Sequence, residues 1–433
     1  MELVIDIPKE EYESFVEKSP YGHFMQSYYF GQIRKYKNFI PHYVGLRNNK
    51  KLVCVALLLE KKLLMGYSYY YCPRGYVIDF NNHELVKDFT EQLKFYAKKN
   101  KAIFIKLDPA IKLHDLDPEG NVIGNDNTEI VNYLKSIGYK HLGYNLGFER
   151  EQPRFTFRID LDKPFDEVYS NMHPTTRKIL NKGNQYDLDV YKGNIKDMND
   201  FYITMSETSK REGIIQAPID YYKTFYKEFN DVGMSDLYVV KANIKKVKAS
   251  FNNKIKEVKN TIDTLNDKIV KGKDVEKNQN KINDLEKQLD KLKTMLSNIN
   301  NIKEKEIVLS SIITVKYGDK VWTVHGGNNS KLMELNGNYL CYYTIMRDAH
   351  EEGYKCMDCF GTCGYANPDK NNPIYGIHSF KKRLGGEYTE FIGEFDLITN
   401  KFMYFMFKTL IPIYRKIKRN KSISKKDEDY KLI

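Results

Sequence analysis

"SDLYVVKANIKKVKASF" (235–251) changes its period in mid-stretch. Through Ala242 it is a short apolar run, the pattern of a buried strand. From Ile244 onward the apolar residues step by threes and fours: Val247, Phe251, Ile255, Val258, Ile262, Leu265 and Ile269. After "VKGKD" (270–274) the stepping restarts at Val275 and continues through Ile282, Leu285, Leu289, Leu292, Leu296 and Ile299. An apolar seam of this period between polar faces predicts a helix that packs on a partner helix. Gly272 stands at the break, where a helix C-terminus favours it. Each arm has about 28 residues and spans roughly 40 Å at the helical rise. So short a connection makes the arms antiparallel neighbours. Directly after them comes "EIVLSSIITVKYGDKVWTVHGG" (306–327), two alternating runs around a Tyr-Gly-Asp-Lys turn. The stretch therefore predicts an antiparallel coiled-coil hairpin, 242–305, inserted between neighbouring strands of one sheet.

The remaining chain reads as mixed α/β. Strands are expected at 41–48, 52–63, 67–79, 102–109, 144–150 and 154–161. Helices are expected at 9–18, 27–36, 83–99, 126–137, 165–172, 196–212, 220–229 and 336–351. Similar grammar before and after residue 150 suggests a duplicated unit, although no residue-level repeat is visible. The expected organisation is a first unit at 1–150, rejoined by 388–400. The second is built from 151–241 and 306–387. The arm, 242–305, and a basic tail, 401–433, complete it.

Charge is unevenly spread. The chain of 433 residues carries +12. The arm has 16 Lys against 9 acids, and 401–433 has 10 Lys/Arg against 3 acids, so each contributes +7. The body is close to neutral, and the appendages are the expected meeting points for anionic partners. The tail mixes aromatic and aliphatic residues with Lys and Arg, as interfacial segments near anionic lipid do. A helix packed on the body fits the same composition, and Pro412 interrupts any long amphipathic helix. No run of 18 apolar residues occurs, and the N-terminus lacks the pattern of a signal peptide, so a cytoplasmic location is expected.

Six cysteines, at 54, 72, 341, 356, 359 and 363, suit a reducing compartment. The last three form C-x2-C-x3-C, but no fourth ligand stands at matching spacing, so structural thiols and no metal are expected. A P-loop, a G-x-G-x-x-G fingerprint, an H-E-x-x-H helix and a coenzyme A pyrophosphate loop are all missing, so no bound cofactor is expected.

Eight stretches then stand in a telling order. They are "FMQSYYFGQIRK" (24–35), "YCPRGYVIDF" (71–80), "IKLDP" (105–109), "QPRFTFRIDL" (152–161), "NMHPTTRKILNKG" (171–183), "ETSKREGI" (207–214), "GYKCMDCFG" (353–361) and "SFKKRLGGEYTEFIGEFDL" (379–397). In this order, with a coiled-coil arm inserted, the chain resembles the Fem family of non-ribosomal peptidyltransferases. The resemblance implies two N-acetyltransferase-like subdomains. It also implies transfer of an amino acid from aminoacyl-tRNA to the stem peptide of a peptidoglycan precursor, either lipid II or UDP-MurNAc-pentapeptide. The protein would then work at the inner face of the membrane.

The resemblance falls on particular residues. Asp108 ends a strand just before a proline; it is either a turn-capping aspartate or, as the resemblance implies, the group that orients or deprotonates the acceptor amine. Phe380 and Lys381 match the family's Phe-Lys pair, and the Lys381 ammonium would stabilise negative charge on the ester oxygen. Arg34, or the adjacent Lys35, and Arg211 match cations that hold the precursor's diphosphate. Arg74 either lines the cleft or braces the turn with Gly75. Lys382 and Arg383 are RNA contacts or a solvated face, and Gly385 and Gly386 turn the chain into a closing strand whose acids face solvent. Two other functions fit the same sequence: an acyltransferase of similar fold with another donor or acceptor, and a coiled-coil scaffold without activity.

Overall fold

A computed structural model describes residues 1–182, 185–213, 215–372 and 374–410. The expectation for the tail beyond residue 410, Pro412 included, lies outside the described residues.

Two mixed sheets form the body. The first has seven strands in the order Glu2–Val4, Ile40–Asn48, Lys51–Lys62, Ser68–Cys72, Ala102–Leu107, Phe395–Ile398 and Tyr139–His141. The second has nine: Asp189–Gly193, Leu237–Asn243, Glu306–Tyr317, Lys320–Asn328, Cys356–Asp358, Phe155–Asp160, Glu387–Phe391, Lys112–Leu116 and Val122–Asp126. Each sheet opens with four antiparallel strands and then takes one parallel step. In the first, Ser68–Cys72 lies parallel to Ala102–Leu107. In the second, Lys320–Asn328 lies parallel to Cys356–Asp358. A parallel neighbour requires a crossover. The helices His83–Lys99 and Gly337–Glu351 lie in those two crossovers. The duplicated grammar is thus a duplicated topology.

The hairpin arm leaves the second sheet between Leu237–Asn243 and Glu306–Tyr317, which are adjacent antiparallel strands. Its helices run over Ile244–Val270 and Val275–Asn300, joined through Gly272 at φ +69°. Val247, Phe251, Val258 and Leu265 are buried on one helix, and Ile282, Leu289, Leu292 and Ile299 on the other. At the base, Tyr186 stacks on Phe251 with ring centroids 5.0 Å apart.

One apolar core joins the units. It contains Tyr12, Phe24, Leu57 and Tyr71 from the first together with Phe201, Phe229, Ile313 and Trp322 from the second.

The sheets divide the chain differently from the expected boundaries. Lys112–Leu116 and Val122–Asp126 fall before residue 150 but belong to the second sheet. Leu116 enters the second unit's core there. The expected single closing strand at 387–397 is two strands: Glu387–Phe391 in the second sheet and Phe395–Ile398 in the first. Gly393, at φ +89°, makes the turn between them. The acids of this segment are not a solvated face either. Glu394 and Asp396 are buried beside Lys106, and Glu390 pairs with Arg154. Residues 144–150 form no strand, and the strand expected at 67–79 stops at Cys72.

Candidate active site

The C-terminal ends of parallel strands are where open α/β sheets usually hold ligands. Asp108 follows the strand Ala102–Leu107 at such an end, and it is buried. Its Oδ2 accepts a hydrogen bond from the Tyr71 hydroxyl at 2.9 Å. Its Oδ1 accepts one from the backbone N–H of Arg74 at 2.6 Å. Burial pushes the carboxyl up to about 7; the Arg74 guanidinium opposes the rise and Glu394 adds to it. Arg74 holds this position with φ +60°, a left-handed conformation that is uncommon without a glycine. Gly75 follows at φ +81°, and a Cβ there would come 2.9 Å from the Pro109 Cα. The pair of turns is therefore closed around Asp108 by backbone, and Arg74 both braces the turn and faces the carboxylate.

A cluster of cations lies along the same sheet. The Arg34 guanidinium stands 4.7 Å above the Phe39 ring, and its buried Nε has no hydrogen-bond partner. The Lys61 ammonium donates to the Lys37 carbonyl at 2.7 Å and also covers Phe39. Lys37 covers Tyr221. Burial first and the neighbouring Arg34 second hold both Lys37 and Lys61 below their usual values. Lys61 is cross-strand partner to Tyr69. Tyr69 and Tyr71, two residues apart on one strand, share a face. The face that carries the cations thus leads to Asp108. Lys35, by contrast, is exposed. Arg211 ends the helix Met198–Glu212; it pairs with Glu212 at 2.9 Å and donates to Ser330 and Thr208.

The second sheet presents the matching end. After Cys356–Asp358 the chain turns through Phe360 at φ +49° and Gly361 at φ +70°. Lys381, buried on the helix Tyr375–Lys382, donates to both of their carbonyls, to Gly361 at 2.7 Å. Burial pushes its ammonium down to about 8, against the opposing pull of Cys359 and Asp358. Phe380 packs edge-on against Tyr339 and Tyr342. Lys382 forms an ion pair with Glu119 at 2.9 Å, and the Arg383 carbonyl receives His173 N–H and the Thr176 hydroxyl. Gly385 sits so close to the Asn171 carbonyl, 2.5 Å from a built Cβ, that no side chain fits.

Buried polar groups connect the two ends. Arg74 and Arg158 place their guanidinium groups over Phe391, at 4.8 and 5.0 Å. Arg158 Nε donates to Asp358 at 3.0 Å. Asp358 also accepts from the Phe360 N–H, at 2.9 Å. Asp108 and Lys381 are therefore linked through Arg74 and Arg158, whose guanidinium groups share the ring of Phe391, the last residue of the strand Glu387–Phe391.

The FemAB family model matches residues 7–411. The chain belongs to the FemAB family. Proteins described as lipid II:glycine glycyltransferase, from Staphylococcus aureus strains MRSA252 and N315, are each 28% identical over 428 residues, covering 95% of this chain and 99% of theirs. The crystal structure of FemX superposes with a TM-score of 0.72 at 27% identity, covering 93% of this chain and 99% of that one. By class this FemAB protein is an aminoacyltransferase. Among its described residues, no group of three or more His, Cys, Asp or Glu is placed to hold a metal ion, and no helix is long and apolar enough to cross a membrane.

Several residues of this candidate site escaped the sequence reading. Tyr71 lies in "YSYYYC" (67–72), where alternation marks one tyrosine face but not its target. Lys37 and Lys61 carry no local signal, because the cluster forms only when the helix Tyr28–Lys35 packs on the first sheet. Asp358 was visible as a strand residue, and its arginine partner lies 200 residues away.

Proposed function

We propose that this FemAB-family enzyme transfers an amino acid from aminoacyl-tRNA to an amine of a peptidoglycan precursor, with lipid II as the acceptor. The carrying observation is Asp108: a buried carboxyl with a value near 7, at the C-terminal end of a parallel strand pair. Such a group is half ionised at neutral pH, suited to general-base work. Full-length similarity to the named lipid II glycyltransferases supports the acceptor.

The acceptor nitrogen attacks the ester carbonyl and forms the C–N bond. Asp108 receives the proton that the amine loses. The C–O bond to the terminal ribose breaks, and the ribose oxygen leaves with the proton that Asp108 received. Lys381 directs its ammonium at the charge that develops on the carbonyl oxygen, while its bonds to Phe360 and Gly361 fix its position. Phe380 shapes the wall beside it. Arg34, with Lys37 and Lys61, receives the diphosphate; Arg34 is favoured over Lys35 because it is half-buried and has an unpartnered Nε. Arg211, exposed at its helix end, is a second contact for anionic substrate. Arg74 positions Asp108.

The ester supplies the energy, so no cofactor is required. The arm's excess of lysine fits RNA phosphates. The reaction takes place in the cytoplasm, at the inner face of the membrane. The test incubates the protein with glycyl-, alanyl- or seryl-tRNA and lipid II and looks for amide product. Transfer from at least one is expected; no product from any overturns the reading.

A further inference from the structure

The end of the first sheet opposite Asp108 has an unusual surface. The turn Leu64–Gly66 joins two of its strands, and Leu64 and Met65 are 86% and 87% exposed. Met65 holds φ +59°, a conformation that glycine adopts more readily. Beside this turn lies the segment Lys401–Leu410, docked by Tyr404, whose hydroxyl donates to the buried Asp396 at 2.8 Å. Leu63 and Tyr67, which flank the turn, share one apolar cluster with Met403, Tyr404 and Phe407. The opposite side of that segment leaves Phe402 70% and Phe405 54% exposed. Leu64, Met65, Phe402 and Phe405 thus project from two adjoining elements with no covering layer among the described residues.

The charge around them has one sign. Lys62, Lys401 and Lys101 are exposed there, the last adjoining Ser68 through a backbone hydrogen bond of 3.2 Å. Lys98 and Lys99 end the helix that leads to Lys101. Lys408 covers Phe104 and Tyr404. Glu60 and Asp396, the acids paired with Lys62 and Lys408, are buried. From residue 411 the chain continues for 23 residues that add 8 Lys/Arg against 3 acids. Exposed aromatic and aliphatic side chains ringed by lysine are the chemistry of an anionic bilayer surface.

We propose that Leu64, Met65, Phe402 and Phe405 insert into the interfacial layer of an anionic lipid bilayer. This docking also sets the direction of the substrate track, and that part rests on the function proposed above. From the docked end the face of the sheet runs past Phe104 and Tyr69 to the cations Lys61 and Arg34, then to Tyr71 and Asp108. The strand Ala102–Leu107 spans about 20 Å at the usual rise. A lipid-linked precursor would leave the bilayer at one end and present its amine at the other.

The test is flotation of the full-length protein with vesicles of equal parts phosphatidylglycerol and phosphatidylcholine, and with phosphatidylcholine alone. Wild type is expected to float with the anionic vesicles and to remain below with the neutral ones. The double variant Leu64→Asp, Met65→Asp is expected to partition at least tenfold less, as is Phe402→Ser, Phe405→Ser. Both should keep the wild-type circular dichroism spectrum and thermal unfolding midpoint, which shows that they fold. Binding equal to wild type in both variants would leave the tail as the sole anchor and overturn the surface. So would wild-type sedimentation as a dimer that Leu64→Asp, Met65→Asp dissolves, because the face would then cover a second copy. Flotation needs neither tRNA nor lipid II, so failure of the transfer reaction would not be mistaken for failure of docking.

Discussion

Two lysines are buried among the described residues, and they are buried for different ends. Lys106, in the first sheet, lies 2.8 Å from Glu394 and 3.5 Å from Asp396. Burial alone would weaken its ammonium, but Asp396 and Glu394 outweigh that and hold it above its usual value. Lys381, in the second unit, meets two carbonyl oxygens, and burial wins: its ammonium is pushed down to about 8. A paired buried charge is locked in one protonation state and fixes structure. A buried charge held by dipoles alone sits near its titration point and is available to a reaction. The carboxylates differ in their partners. Glu394 and Asp396 have a lysine, whereas Asp108 has a hydroxyl, one N–H and a raised value.

The largest expected effect strikes the paired lysine. Lys106→Met leaves Glu394 in the core without its cation and Asp396 with Lys408 alone, a cost of about 3–5 kcal/mol. Denaturant unfolding should show it as a lowered midpoint, while turnover per folded molecule stays near that of wild type. A loss of turnover with full stability would reverse the assignment of the two lysines. Next in size is Asp108→Asn. Without the carboxylate, turnover should fall about a hundredfold or more, and the variant should be at least as stable as wild type at pH 8. An active Asp108→Asn enzyme would remove Asp108 from the chemistry.

This contrast was only half legible in the sequence. The arm was readable, because an apolar period and a glycine turn are local facts. The interest of "IKLDP" and "SFKK" came from the family resemblance, because locally a strand-end Asp before Pro reads as well as a turn cap. The partners were not readable. Glu394 and Lys106 are 288 residues apart, and nothing in the alternation of "EYTEFIGEFDL" tells a solvated acid from one sent into the core. The same distance problem hid the split of 387–397 between the sheets. Gly393 marked a possible turn, but only pairing with Phe155–Asp160 and Lys112–Leu116 on one side, and with Ala102–Leu107 on the other, decides it. The strands Lys112–Leu116 and Val122–Asp126, partly exposed and rich in Asp, Asn and Gly, carry only Leu113, Leu116, Val122 and Ile123 as apolar residues, too sparse a pattern to mark a strand.

A smaller effect is expected at the unpaired lysine. Lys381→Ala should lower turnover at least tenfold, about 1.4 kcal/mol, by removing charge stabilisation from the transition state. It also strips the Phe360 and Gly361 carbonyls of their donor, which costs about 1–3 kcal/mol of stability. Comparing Lys381→Arg separates the two roles: it restores a donor and a fixed charge but not the geometry. Unchanged turnover in Lys381→Ala, with only the midpoint lowered, would make Lys381 a brace for the turn and nothing more.

The finest test of the contrast is its pH dependence. In the proposed mechanism turnover needs Asp108 ionised and Lys381 charged, so it should rise through about pH 7 and fall through about pH 8. Asp108→Asn should flatten the acid limb of whatever activity remains, and Lys381→Arg should carry the alkaline limb beyond pH 10. Stability should run the other way. The folded Asp108 keeps its proton between about pH 4 and 7 while the unfolded chain loses it, so this group's contribution falls as pH rises through that window. The folded Lys381 loses its proton near 8, before the unfolded chain does at about 10.4, so its contribution grows as pH rises from 8 to 10. Between the two lies the narrow range in which both groups are charged and buried, where they stabilise the fold least and, in the proposed mechanism, serve the reaction best. Unfolding free energies of wild type and Asp108→Asn at pH 5, 7.5 and 10 measure this directly. The gap should shift toward the variant between the first two points and stay there at the third; a gap that does not change with pH would mean that Asp108 titrates in the fold as it does in water.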